Sequence, residues 1–411
     1  MQITHIRNLF RFENLALFFS TLFLFFLAYS EAIKSISLAA ILILFIYGIA
    51  TKKLFLTKDA LTISLSLFVF FSVIGIITGI SFDESSQQIS DLFKFLLVFL
   101  FYRELKINNL EISSFINILF FGFIFAFIAG AIDFLSLDFL TLDLLADSNK
   151  NQVYIKLRSL GSHNRTAIYY VLITMIALSY FVYSYRKNNR VLIMKSNLLI
   201  LFVLIASLIG IFLGGSRMAM YSLPVLIFIF LLLEYGFKLK HLSFLIVIFA
   251  SIFLIFAVFF PETYYAEKLL MGFRDPARLW VWEYSLRSYF HIGNYFFGIG
   301  TGNSILLDVN EYSTIFPKSP GIKYINNAHN LYLDTLLEKG IAGLVSLFYF
   351  FYKLISNSFK KISIGYIHKI NILTISSILL MGFFNITFRY EFALLLAVIA
   401  GLSLNKNFIK H

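Results

Sequence analysis

The stretch "LALFFSTLFLFFLAYS", Leu15–Ser30, decides the class of this protein. It is an almost unbroken apolar run without a charged residue. A helix needs about 20 such residues to cross the core of a bilayer. The pattern recurs along the chain, for example in "LSFLIVIFASIFLIFAVFF", Leu242–Phe260. Over its 411 residues the sequence is 59% hydrophobic and only 14% charged, where a soluble domain carries roughly 25% charged residues. The period-two alternation of an outer-membrane barrel is absent. The expected fold class is therefore an all-α polytopic membrane protein. No polar cleavage region follows the first apolar run, so it reads as a retained helix and not as a removed signal peptide.

About twelve transmembrane helices are expected, near 15–30, 35–50, 60–80, 89–102, 112–132, 164–184, 197–214, 218–233, 242–260, 333–352, 370–388 and 391–405. The fourth and twelfth are short. No repeat, low-complexity linker or soluble domain separates them, so residues 1–411 read as one integral membrane domain. Two connections are long, 133–163 and the dominant 261–332. Short loops on one side hold a majority of the 34 lysines and arginines, among them Lys52, Lys53, Arg186, Lys187, Lys360 and Lys361. That bias puts them, with both termini, in the cytoplasm. The acidic turn "SFDESSQQISD" (Ser81–Asp91) and both long loops then face outward.

The sequence has no cysteine, so disulfides and thiolate metal sites are excluded. A net charge of +12 would favour nucleic acid in a soluble protein; here loop cations that set topology explain it, and no nucleic-acid partner is expected. The outer side breaks the charge bias with arginine: Arg158, Arg165, Arg217, Arg274, Arg278, Arg287 and Arg389. A guanidinium is a planar fork of donors that matches phosphate, whereas lysine is a point charge. The outer face is therefore expected to bind an anion.

Four stretches can carry chemistry. In "LIGIFLGGSRMAMYSL" (Leu208–Leu223), Arg217 stands at membrane depth behind two glycines that permit a tight turn. It either snorkels to the interface or holds a lipid-linked phosphate. In "GFRDPARLWVWEYSLRSYFHIGNYFFGIGTGN" (Gly272–Asn303), Arg278 and Trp282 share a helical face, and a glycine-rich turn follows. The same segment also reads as an amphipathic helix lying on the outer interface. In "NNAHNLYLDTLLEKGIAGL" (Asn326–Leu344), Asn326 or Asn327 caps a helix whose first turn holds His329. The positive helix end and nearby arginines favour a neutral imidazole, which either accepts a hydroxyl proton or only satisfies a helix end at the interface. Neither Asp334 nor Glu338 shares the His329 face, so its orienting partner must come from elsewhere. A second histidine–asparagine pair, in "LRSLGSHNRTAIYY" (Leu157–Tyr170), either adds Arg158, His163, Asn164 and Arg165 to the same outer site or is simply a polar helix start. In "FNITFRYEF" (Phe384–Phe392), Arg389 reads as the partner of Glu391. No dense histidine or carboxylate cluster points to a metal, and the spacing of Asp133, Asp138, Asp143 and Asp147 is not that of a calcium loop.

"HNLYLDTLLEKGIAGL" resembles the signature of the O-antigen ligase family: His329, Asn330, nine residues, Gly340, two residues, Gly343. The "GGSR" arginine, the arginine–tryptophan segment and "GIG" stand in the family's order. The resemblance runs from about Leu157 to the end. It implies a GT-C-like enzyme of the bacterial inner membrane that moves a glycan from undecaprenyl diphosphate to the lipid A–core oligosaccharide. The reaction would occur on the periplasmic face, without metal or other cofactor, and invert the anomeric centre. The family histidine maps onto His329, as base or acceptor-orienting group, with Asn330, His163 and Asn164 in support. The diphosphate-binding arginines map onto Arg217 and Arg278, and more loosely onto Arg158, Arg165, Arg287 and Arg389. Membrane lipids, the lipid-linked donor and the lipid A–core acceptor are the partners implied.

Two other readings stay open. Arg287 and Gly298 give an arginine, ten residues, glycine spacing associated with O-antigen polymerases, which share the donor. A transporter of lipid-linked sugars would show repeated halves, broken helices and charge buried near the midplane. Lys94 reads as the only basic residue well inside a span, which disfavours transport.

Overall fold

In the computed structural model of the protein, the described residues are 11–106, 111–138, 156–160, 162–188, 195–214, 216–238, 243, 247, 250–251, 276–307 and 327–407. They form α1 (Phe12–Phe26), α2 (Glu31–Ala50), α3 (Ala60–Ile77), α4 (Phe82–Glu104), α5 (Ile112–Asp138), α6 (His163–Lys187), α7 (Lys195–Leu213), α8 (Arg217–Tyr235), α9 (Pro276–Ile292), α10 (Leu331–Phe359), α11 (Tyr366–Gly382) and α12 (Tyr390–Leu404). No strand occurs among the described residues. Most of the expected span 242–260, and the loop portions 139–155, 261–275 and 308–326, lie outside them.

Side chains start several helices, as helix ends require. Ser30 accepts from the Ile33 amide, Asp59 from Thr62 and Ser162 from Arg165. Pro276 opens α9, where its missing N–H costs nothing. Among the described residues, six helices are long and apolar enough to cross a membrane: α2, α3, α5, α6, α8 and α10. The helices α1, α11, α12 and part of α7 are apolar but shorter. The surface supports a lipid environment. Ile43 is 67% and Ile77 75% exposed, where a soluble protein would avoid so broad an apolar exterior. The bundle has a centre: 78% of the α6 span is buried against 33% for α2.

The sequence expectation is corrected in three places. Ser81–Asp91 is not a turn, because α4 begins at Phe82. The fourth element is consequently long, 23 residues, and not short. The eleventh helix ends at Gly382, so 383–389 is a turn.

Contacts between helix termini sort them into two ends. At one end, the α4 terminus meets the α3 start through Arg103 and Asp59 (2.6 Å). There Glu234, closing α8, binds Arg186 of α6 and Lys369 of α11 (3.0 and 2.9 Å). At the other end, the α2 and α12 starts meet through Lys34 and Glu391. The α6 and α12 starts meet through Arg165 over the Tyr390 ring (3.6 Å). The α10 start meets the α11 terminus through Asn330 and the Phe383 carbonyl (2.9 Å). Because α8 finishes at the first end, its start, Arg217, lies at the second, with His329.

Candidate active site

His329 stands immediately before α10, not inside its first turn. The N-cap is Asn330, whose Oδ1 accepts from the Tyr332 and Leu333 amides (2.9 and 3.0 Å). This overturns the expected cap at Asn326 or Asn327; Asn326 lies outside the described residues, and Asn327 Oδ1 instead accepts from the His329 amide (3.0 Å). His329 is exposed and adopts φ 45°. Left-handed backbone is sparsely used by residues with a Cβ, although histidine and asparagine enter it more readily than most. The imidazole is thus presented on a bend fixed from both sides. Replacing Asn330 with alanine removes two cap bonds and the bond to Phe383, and is expected to cost about 0.5–2 kcal/mol of stability. A lowered thermal midpoint in detergent checks this.

Ten residues after Asn330, α10 breaks. Gly340 has φ 65° and ψ −168°, a region reserved for glycine. The groups freed by the break are bonded again by the loop after α9. The Ile299 and Gly300 amides donate to the Leu337 and Glu338 carbonyls (both 2.9 Å). In return Ile341 donates to Tyr295 and Ala342 to Phe296 (3.0 and 3.2 Å). Irregular backbone inside an apolar helix bundle requires such a covering. The "GIG" segment is therefore a plug seated in a broken helix. Helix α9 is docked on the protein by the same device, since Val281, Tyr284 and Tyr289 share a small core with Ile299 and Leu337.

The α10 segment before the break carries buried charge. Arg389 Nη2 donates to Asp334 Oδ2 (3.1 Å) and to Glu338 Oε2 (2.9 Å), and Lys339 Nζ lies 3.3 Å from Glu338 Oε2. Asp334 is 2% and Glu338 0% exposed. The pairing of Arg389 with Glu391 is thus corrected: Glu391 belongs to Lys34. The reading of Lys94 as the lone basic residue inside a span is corrected as well. Lys94 is exposed and pairs with Asp91, whereas Lys34 and Lys339 are buried. One signal in the sequence pointed here: two acids at i and i+4 in an apolar helix repel unless a cation answers them.

The remaining candidates are placed as follows. Arg217 is the half-buried first residue of α8; Gly215 before it lies outside the described residues. Arg278 is half-buried in α9, and Trp282 one turn later lies 6.1 Å from Phe384. That contact brings the α9 segment to the 383–389 turn, on which Asn330 is also anchored. Arg158 forms a bidentate pair with Asp133 (both 2.7 Å) and touches Tyr29. The Asp133 hydrogen bonds hold its guanidinium above the usual arginine range. Arg165 stacks on Tyr390 beside a cavity of about 230 Å³ that also reaches Lys34, Asp91 and Glu391. Arg287 is exposed and pairs with Glu283 on its own helix. Asn164 is half-buried in the first turn of α6, and His163 opens that helix. Contacts therefore link the surroundings of Arg165, Arg389, His329 and Arg278; Arg287 is tied to its own helix.

A family model described as O-antigen ligase matches residues 201–348. The matched segment contains His329, Asn330, Gly340, Gly343, Arg217, Arg278 and Arg287, and it excludes Arg158, His163, Asn164, Arg165 and Arg389. No curated protein matches the chain.

Proposed function

We propose that this chain, a member of the O-antigen ligase family through residues 201–348, transfers a glycan from undecaprenyl diphosphate to the lipid A–core oligosaccharide. It would do so at the periplasmic face of the bacterial inner membrane, as a GT-C-like protein of about twelve spans with both termini cytoplasmic. The active site would be carried by the loop 261–332. The observation that carries the reading is the exposed His329 at φ 45°, on a turn joined through Phe383 and Phe384 to the α9 segment holding Arg278. It stands at the bundle end where Arg217 opens α8.

The chemistry follows from the groups present. Cleaving the donor leaves charge on a diphosphate. Arg217 and Arg278 would bind it and stabilise the charge that grows in the transition state. Arg165 is available for the same anion, while Arg158 and Arg287 already hold carboxylates. His329 would take the proton of the acceptor hydroxyl, or align it, on the face of the sugar opposite the leaving group, which inverts the anomeric centre. Asn330 supports it by fixing the turn. Arg217→Lys keeps the charge but loses the fork. Charge-assisted bonds contribute about 1.5–3 kcal/mol, so transfer is expected to fall about 10–100-fold.

The test uses purified protein and an undecaprenyl diphosphate-linked glycan, with lipid A–core in one sample and no second acceptor in the other. A shifted lipid A–core band confined to the first sample supports a ligase. A lengthening ladder of lipid-linked glycan in the second overturns that in favour of a polymerase. The broken helix α10 and its buried charge are features that transporters also use. Movement of the lipid-linked glycan across vesicles without transfer would sink the enzymatic reading.

A further inference from the structure

We propose that Arg389, Asp334 and Glu338 form a clamp that positions His329, and that Arg389 serves the reaction through this clamp instead of binding diphosphate. The inference rests on the reading of His329 as the reacting group. Asp334 is shared between two elements: Oδ2 accepts from Arg389 (3.1 Å) and Oδ1 from the Ala328 amide (3.3 Å). Ala328 immediately precedes His329, so the carboxylate holds the backbone one residue before the histidine. Glu338 extends the clamp in the other direction. Its Oε2 accepts from Arg389 (2.9 Å), and its Oε1 accepts from Ser304 Oγ (3.1 Å), just past the glycine-rich plug. One guanidinium thus ties the His329 turn, the broken helix and the plug to the start of α12.

Charge and strain both favour this role. Asp334 and Glu338 are balanced by Arg389 and Lys339, so the cluster has no net positive charge to offer an anion. A diphosphate that recruited Arg389 would take from the buried Asp334 the cation it is paired with, which is strongly unfavourable. Among the described residues, three that are not glycine have positive φ: Lys52, His329 and Tyr390. Two of these adjoin the clamp, His329 following Ala328 and Tyr390 following Arg389. Strained backbone persists only where its surroundings over-determine it, and these bonds supply that determination. The clamp reaches the amide of Ala328, the residue before His329, so Arg389, Asp334 and Glu338 are positioning residues.

The full chain is tested in nanodiscs with Arg389→Gln and Arg389→Lys. Three quantities are read: kcat and KM for the lipid-linked donor, inhibition by inorganic diphosphate, and the rate at which diethyl pyrocarbonate modifies His329, followed by peptide mass spectrometry. Small misplacement of a reacting group costs about 100-fold in rate, so Arg389→Gln should lower kcat by that order. Donor KM and diphosphate inhibition should stay near wild type, the His329 modification rate should change, and Arg389→Lys should recover part of kcat. A raised donor KM and weakened diphosphate inhibition, with His329 modified at the wild-type rate, would make Arg389 a phosphate ligand and overturn the clamp. Unchanged kcat and unchanged His329 reactivity would overturn it too. If Arg389→Gln does not fold, Asp334→Asn carries the same readouts, because it keeps an oxygen for the Ala328 amide and loses the ion pair. Full activity in His329→Asn would instead strike the reading of His329, whatever the modification rates show.

Discussion

His329→Asn is expected to lower glycan transfer by about 10²–10⁴-fold, the usual contribution of a positioned acid–base group, in a protein that remains folded and inserted. Asparagine is the informative replacement. It enters left-handed backbone more readily than alanine, so the φ 45° turn survives and only the imidazole is lost. The side chain is exposed, and the turn is held by Asn327, Asn330 and Asp334, which accept from the backbone amides of His329, Tyr332 and Ala328. Stability should therefore change little. The measurement is the two-sample transfer assay beside a thermal midpoint and a gel-filtration profile. A well-folded His329→Asn protein that transfers normally would end the proposed role. Loss of transfer accompanied by aggregation would be uninformative about chemistry.

The sequence made the helical class plain because long apolar runs have one interpretation in water. It made the starts of α6 and α8 plain within a residue or two, since polar residues give way there to apolar ones. It misplaced the entry to α10 because "INNAHN" offers asparagines at four, three and zero residues before the true cap, and capping propensity alone ranks them equally. Only tertiary bonds, Asn330 to Phe383 and Asp334 to Ala328, select among them. Ser81–Asp91 reads as a turn because its polarity hides a helix start; α4 runs from there to Glu104 because it packs against α12. The partnership of Arg389 could not be read from its neighbours. Glu391 is two residues away in sequence, yet α12 directs it to Lys34 while Arg389 turns to α10. Charge within a few residues is a poor guide when a helix start intervenes and the alternatives are buried.

The signature glycine shows how a motif can be legible as a pattern while its physical cause is not. Gly340 was recognisable by spacing, and in an apolar helix a glycine is first read as a small packing residue. Its conformation gives a different reason. At φ 65° and ψ −168° it is where α10 stops and restarts, and a Cβ there would collide with the carbonyl of Phe296 in the plug. Gly340→Ala must therefore both leave a glycine-only region, at about 1–3 kcal/mol, and push out the segment that bonds the freed groups of Leu337, Glu338, Ile341 and Ala342. Unpaired backbone at membrane depth costs several kcal/mol per group. The variant is expected to lose its cooperative thermal transition in detergent, to be cut readily by protease near 294–302, and to transfer no glycan. Gly365→Ala is the matching control: φ is −168°, extended backbone open to any residue, and no atom lies within 4 Å of the added carbon. It should behave as wild type. If Gly340→Ala kept a wild-type midpoint and protease pattern, the break in α10 would be dispensable. The plug would then have to be held by the α9 core of Val281, Tyr284 and Tyr289 instead of by the bonds of the broken helix.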